Sequence, residues 1–163
     1  MTQIRLLQNQ TLSLLALTLI SAAGAQPTRA ATVMTSVTPA ELMKTLARAG
    51  LTVRSEAQDG GPSLAFRVGN TTARVYLTDC ASGRCSTLTL SSGFDLDASP
   101  PLEKINAWNR GHSFAYAYLD EERDPFLQSD LDLDGGVTTA ALEAWVKLYR
   151  QGLTEFVKTF NLR

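Results

Sequence analysis

The densest group of chemistry-bearing side chains is Asp130-Leu131-Asp132-Leu133-Asp134-Gly135-Gly136-Val137. Oxygen ligands at alternate positions, then a glycine and, at the eighth position, an apolar residue, open the loop that wraps calcium in an EF-hand. Asp130, Asp132 and Asp134 are therefore weak metal candidates, with Glu121, Glu122 and Asp124 close by in sequence. The twelfth position, where a bidentate glutamate should close the cage, is Ala141, and Leu131 and Leu133 alternate with the aspartates as in a strand with one wetted face. A solvated strand running into a Gly-Gly turn accounts for the same residues without a metal. Paired carboxylates also serve as acid and nucleophile in glycosidases, but their separation in space is not set by sequence. The signatures G-x-S-x-G, H-E-x-x-H and a phosphate-binding glycine loop are missing from the chain. His112 is the single histidine, which rules out a two-histidine metal site and reads as a helix-end residue. No catalytic residue and no cofactor are assigned, and an enzyme is not expected.

These residues sit among well-marked elements. Thr38-Pro39-Ala40-Glu41 is a capping box with proline at the first helical position, and Leu42, Met43, Leu46 and Ala49 follow at helical spacing up to Gly50. Four segments of strand character come next, at about 51–57, 63–69, 72–80 and 85–94, parted by turn residues at Asp59-Gly60-Gly61-Pro62, Gly69-Asn70 and Ala81-Ser82-Gly83-Arg84. Ser99-Pro100-Pro101 opens a second helix with Leu102, Ile105 and Trp108 on one side and Gly111 at its end. Phe114–Leu119 and Phe126–Leu133 are two further strands. From Thr139 to Phe160 the period returns to 3.6, with Leu142, Trp145, Val146, Tyr149, Leu153, Phe156, Val157 and Phe160 on one stripe. The order α-β-β-β-β-α-β-β-α predicts an α+β fold, an antiparallel sheet with helices packed against it.

The two cysteines, Cys80 and Cys85, fall at the ends of adjacent strand segments, where opposed Cα atoms lie about 4.5–5.5 Å apart, within reach of a disulfide. Their spacing is not the C-x-x-C of redox sites, so a structural bridge is expected. It agrees with the start of the chain. Arg5, the apolar run Leu12–Ile20 and Ala23-Gly24-Ala25 have the layout of an export signal, placing the signal peptide at 1–25, a flexible lead-in at 26–37 and a single domain at 38–163. Gly24, Gln26, Pro27 and Arg29 cut the apolar run short of a bilayer span, so no stable membrane anchor is expected after cleavage. A periplasmic or secreted location follows. The chain carries 15 basic and 16 acidic residues, which gives no electrostatic case for nucleic acid.

The run from Lys104 to Val137 carries a resemblance, through Asn106, Trp108, Asn109, Phe114, Ala117, Tyr118, Leu119, Asp120, Asp130, Asp132, Leu133, Gly135, Gly136 and Val137. Leu77, Cys80, Cys85 and Gly93-Phe94-Asp95-Leu96-Asp97 extend it. The chain resembles the YbjN-like family of bacterial sensory transduction regulators over roughly residues 38 to 160. The resemblance implies a fold similar to type III secretion chaperones and, since that family has no established reaction, a non-catalytic role. Fold alone does not fix function.

Trp108, Phe114, Tyr116, Tyr118 and Trp145 could form a partner surface or an aromatic pocket, although aromatic residues at strand and helix periods are usually core. Phe114, Tyr116 and Tyr118 share one face of their strand, and Ala115, Ala117 and Leu119 the other. Asn106 and Asn109, one turn apart, are placed either to end their helix or to bond a neighbouring loop. The leading expectation is an exported, non-enzymatic protein that binds another polypeptide, a homodimer being the simplest form. The alternatives are a small-ligand or calcium sensor and, behind it, a hydrolase using the acidic cluster.

Overall fold

The computed structural model describes residues 31–58 and 61–162. The expected signal peptide lies outside them, as do Asp59 and Gly60 of the first turn.

The first helix, α1 (Pro39–Arg48), begins with both bonds of the capping box: Thr38 N–H donates to Glu41 Oε2 at 2.9 Å, and Glu41 N–H donates to Thr38 Oγ1 at 3.2 Å. It ends at Gly50, whose φ of +82° glycine adopts without steric cost. Four strands follow, β2 (Arg54–Gln58), β3 (Gly61–Val68), β4 (Thr71–Ala81) and β5 (Arg84–Gly93). After them come α2 (Leu102–Gly111), β6 (Tyr116–Leu119), β7 (Pro125–Asp132) and α3 (Thr139–Phe160). Among the described residues the fold is α+β, with three helices and an antiparallel six-stranded sheet in the order β2-β3-β4-β5-β7-β6.

Three features differ from the sequence expectation. Val33–Met34 forms a short strand, β1, paired with β8 (Val137–Thr138), so the end of the predicted lead-in is part of the folded body. Gly136 makes this pairing possible: its φ is +89°, and a Cβ there would lie 2.7 Å from Val33 Cγ1. Phe114 was placed on a strand face but has φ +70° and is 69% exposed, and β6 starts two residues later. Leu102, expected beside Ile105 and Trp108, is exposed because it occupies the first, uncovered turn of α2.

Strand alternation divides the sheet. On one face Leu64, Val75 and Leu90 stand in register across β3, β4 and β5, with Phe66 opposite Ala73 and Leu77 opposite Leu88, and all are buried. The helices cover this face through Leu42 and Leu46 of α1, Ile105 and Trp108 of α2, and Leu142, Trp145, Val146, Tyr149, Leu153 and Phe156 of α3. The aromatic hydroxyl and indole of α3 find partners on it. Tyr149 OH donates within reach of Leu127 O (2.9 Å) and Ser92 Oγ (3.0 Å), and Trp145 Nε1 donates to Ser129 Oγ at 2.8 Å. Burial raises the Tyr149 phenol's pKa, which keeps it a neutral donor.

The sulfurs of Cys80 and Cys85 are bonded, and these residues oppose each other near the end of the β4–β5 hairpin. The strands run to Ala81 and Arg84, leaving only Ser82 and Gly83 as the loop, with φ +51° and +78°. Positive φ at both central residues is the type I′ turn that matches the strand twist. Arg84 ties this tip down: its Nη2 donates to Ser36 O at 2.7 Å, its Nε to Ser36 Oγ at 3.0 Å, and its Nη1 lies 3.0 Å from Glu41 Oε2. None of the described helices is long and apolar enough to cross a membrane.

Candidate functional site

The opposite face of the sheet carries Arg54, Glu56, Arg74, Tyr76, Thr89, Tyr116, Tyr118, Phe126, Gln128 and Asp130, by the same alternation. All three helices among the described residues contribute their buried residues to the core on the other side, so no described helix covers this face, hereafter the open face. At its β6–β7 end, Tyr118 and Phe126 are directly opposed and stacked, with ring centroids 5.3 Å apart and planes 14° from parallel. Phe126 also covers Gly93, its partner on β5; a Cβ on that glycine would lie 2.4 Å from the ring. Glycine is required there because the aromatic ring occupies the space of its side chain.

Beside the stack, a polar network fixes the tyrosine positions. Tyr116 OH donates to Asp130 Oδ2 at 3.0 Å, Thr89 Oγ1 donates to Asp130 Oδ1 at 2.6 Å, and Gln128 Nε2 donates to Tyr116 OH at 2.6 Å. Tyr118 OH donates to Gln128 Oε1 at 3.3 Å. Burial, and then the bond to Asp130, push the Tyr116 pKa up to about 12. Tyr118 is raised chiefly by burial, with the Asp120 charge next. Both phenols are therefore neutral at physiological pH and act as donors; a phenol activated as base or nucleophile would be shifted the other way.

Toward β2 the face becomes ionic. Glu56 accepts from Arg54 Nη2 at 2.7 Å and from Arg74 Nε at 2.9 Å, and these bonds, Arg54's first, hold its pKa below 4.5. Between the ion pairs and the aromatic stack lies a recess of about 440 Å³, walled by Arg74, Tyr76 and Phe126 and by Asp95, Asp120 and Glu122 from the loops. The face thus offers aromatic area, anchored hydroxyls and charges of both signs, the mixture that binding surfaces use.

The residues singled out from sequence separate sharply. Tyr116 is 43% exposed and Tyr118 half-buried, both on the open face, whereas Trp108 and Trp145 are 3% and 9% exposed and belong to the helix-covered core. Trp108 packs edge-on to Phe156 at 5.1 Å, so the tyrosines are accessible and the tryptophans are not. Asp130 is engaged by Tyr116 and Thr89, while Asp132 Oδ1 accepts the backbone N–H of Asp134 at 2.8 Å. The acidic link is likewise turned inward on itself: Asp120 Oδ1 accepts from Glu122 and Asp124 N–H, and Asp124 Oδ1 from Leu96 N–H. Among the described residues no three His, Cys, Asp or Glu side chains are grouped to hold a metal ion. His112 stacks on Trp108 at 3.4 Å and its Nδ1 lies 2.9 Å from Trp108 O, closing α2. Asn109 holds a neighbouring backbone: its Oδ1 accepts from Ala117 N–H at 2.7 Å and its Nδ2 donates to Ala117 O at 2.9 Å.

Arg74, Tyr76, Phe126 and Gln128 were not singled out by sequence. Their signal was present as alternation with Val75, Leu77 and Leu127, but alternation does not say which face stays uncovered.

The family model of YbjN, described as "putative bacterial sensory transduction regulator", matches residues 38–162. The chain belongs to the YbjN family. The match runs from the N-cap of α1 to the residue after the α3 cap, so it takes in the whole sheet and its open face. The YbjN description is that of a regulator and not of an enzyme. No curated protein matches the chain.

Proposed function

We propose that this YbjN-family chain is an exported, non-enzymatic regulator that binds another polypeptide through the open face of its sheet. The observation that carries this reading is the stacked Tyr118–Phe126 pair beside Tyr116 on a face that no described helix covers. Rigid, amphipathic rings whose hydroxyls are already positioned lose little conformational freedom when a partner covers them. The regulator description of the family supports the reading. The bond between Cys80 and Cys85 fits an oxidising compartment. A second copy of the chain is the simplest partner, and light scattering across protein concentration distinguishes it from a foreign one.

The test is affinity capture from the native cell envelope with the tagged chain and with a Tyr116→Ser/Tyr118→Ser variant of matched melting temperature. A polypeptide, or a second copy, recovered with the first and lost from the second supports the proposal. Equal recovery with both excludes the tyrosine face.

A further inference from the structure

We propose that a cleft between the α1–β2 loop and α3 binds the phosphate or sulfate group of a small ligand, using Arg67 and Arg150 with Arg54 at its side. The cleft, of about 300 Å³, is lined by Gly50, Leu51, Thr52, Arg54, Arg67 and Arg150. Three of its six residues are arginines and none is acidic. Arg54 pairs with Glu56, which also pairs with Arg74. Neither Arg67 nor Arg150 makes an ion pair among the described residues, so two guanidinium charges remain uncompensated.

Their geometry favours a ligand. Arg67 is held at the β3–β4 turn, donating through Nη1 to Thr72 Oγ1 at 3.2 Å and through Nη2 to Asn70 O, which uses two of its five N–H donors. Arg150 is the more telling residue. Its Nε is buried and has no hydrogen-bond partner among the described residues. A buried donor of this kind is satisfied by ordered water or by a ligand acceptor, and its place beside an acid-free cleft favours an anion. Guanidinium groups match tetrahedral oxyanions through paired N–H donors, and two uncompensated charges suit a doubly charged group better than a monocarboxylate. The cleft volume admits that group with a small substituent. Arg54 is shared with the open face of the sheet, but the site does not include Tyr116, Tyr118 or Phe126, and its test is separate.

Calorimetric titration of the purified protein with inorganic phosphate, at ionic strength fixed with chloride, reads the site directly. One saturable site is expected, weakened roughly tenfold or more in Arg150→Gln and in Arg67→Gln, unaffected by Tyr116→Ser/Tyr118→Ser, and not displaced by equimolar acetate. Arg67 is exposed, so its variant carries the test if Arg150→Gln fails to fold. Absence of saturable heat up to about 10 mM phosphate, or binding unchanged in the arginine variants, overturns the proposal. Displacement by acetate overturns the preference for a doubly charged group.

Discussion

Asn109, near the end of α2, holds both backbone polar groups of Ala117 on the edge strand β6, accepting its N–H at 2.7 Å and donating to its C=O at 2.9 Å. In the β6–β7 pairing those groups point outward, where another strand could dock. The asparagine side chain fills that place as a strand would. It ties α2 to β6 and blunts the edge of the sheet next to the proposed binding face.

Asn109→Ala leaves two part-buried backbone groups without partners and is expected to cost about 1–3 kcal/mol. Urea unfolding checks the loss, and sedimentation should show new self-association through the uncovered edge. Asn109→Asp should lose only the bond to Ala117 O. Equal stability of Asn109→Ala and wild type would remove the clamp from the account.

Tyr149→Phe deletes a buried hydroxyl and its bonds to Leu127 O and Ser92 Oγ, the serine keeping its bond to Thr72 O, so a loss of about 0.5–1.5 kcal/mol is expected. Tyr118→Phe, on the open face, should stay within about 0.5 kcal/mol of wild type. Chemical denaturation of the pair compares the covered and uncovered faces. Similar losses in both variants would mean that the tyrosines of the two faces are equally important to folding.

Much of this fold was legible because local chemistry and long-range packing agree. The Thr38–Glu41 capping box and the apolar stripe of α3 each specify their element without help from distant residues, whereas the four-residue turn expected at Ala81–Arg84 tightens to a two-residue loop because Ala81 and Arg84 pair. The β1–β8 pairing was not legible, since two-residue strands carry no period, and its marker, Gly136, reads equally well as an ordinary turn glycine. The site was half legible. Tyr116 and Tyr118 have the same sequence signature as the buried tryptophans, an aromatic at a regular period. Only the layering of the helices onto one face separates the aromatics that a partner can meet from those that hold the core. In the aspartate run of 130–134, which looked most like chemistry, Asp130 bonds Thr89 and Tyr116 and Asp132 bonds the Asp134 N–H.

Replacing Cys80 and Cys85 together by serine opens a ring of only a few residues, and the loop-entropy model gives a loss of about 2 kcal/mol. Arg84 still ties the hairpin tip to Ser36 and Glu41, so the fold should persist. Circular dichroism and thermal melts check both parts. Loss of folding in the double variant would show that the bridge contributes far more than chain entropy.

Glu56 and Glu41 both titrate below 4.5 in the folded chain, Glu56 through its bond to Arg54 and then Arg74, Glu41 through the Thr38 N–H and then Arg84. A carboxylate with a depressed folded value adds stability above its unfolded value, and this is lost as pH falls through the folded one. Melting temperature should therefore drop as pH goes below 4.5, by a small amount because both groups face solvent. The difference between wild type and Glu56→Gln should narrow over the same window. A difference constant with pH would contradict the ion pairing of Glu56.

The most direct test of the central claim is site-specific photo-crosslinking in the native envelope. A photoreactive residue placed at Tyr118 is expected to give one discrete adduct, whereas the same residue at Lys158, exposed on α3, is expected to give none. Adducts at Lys158 and none at Tyr118 would contradict the assignment of the open sheet face as the partner surface.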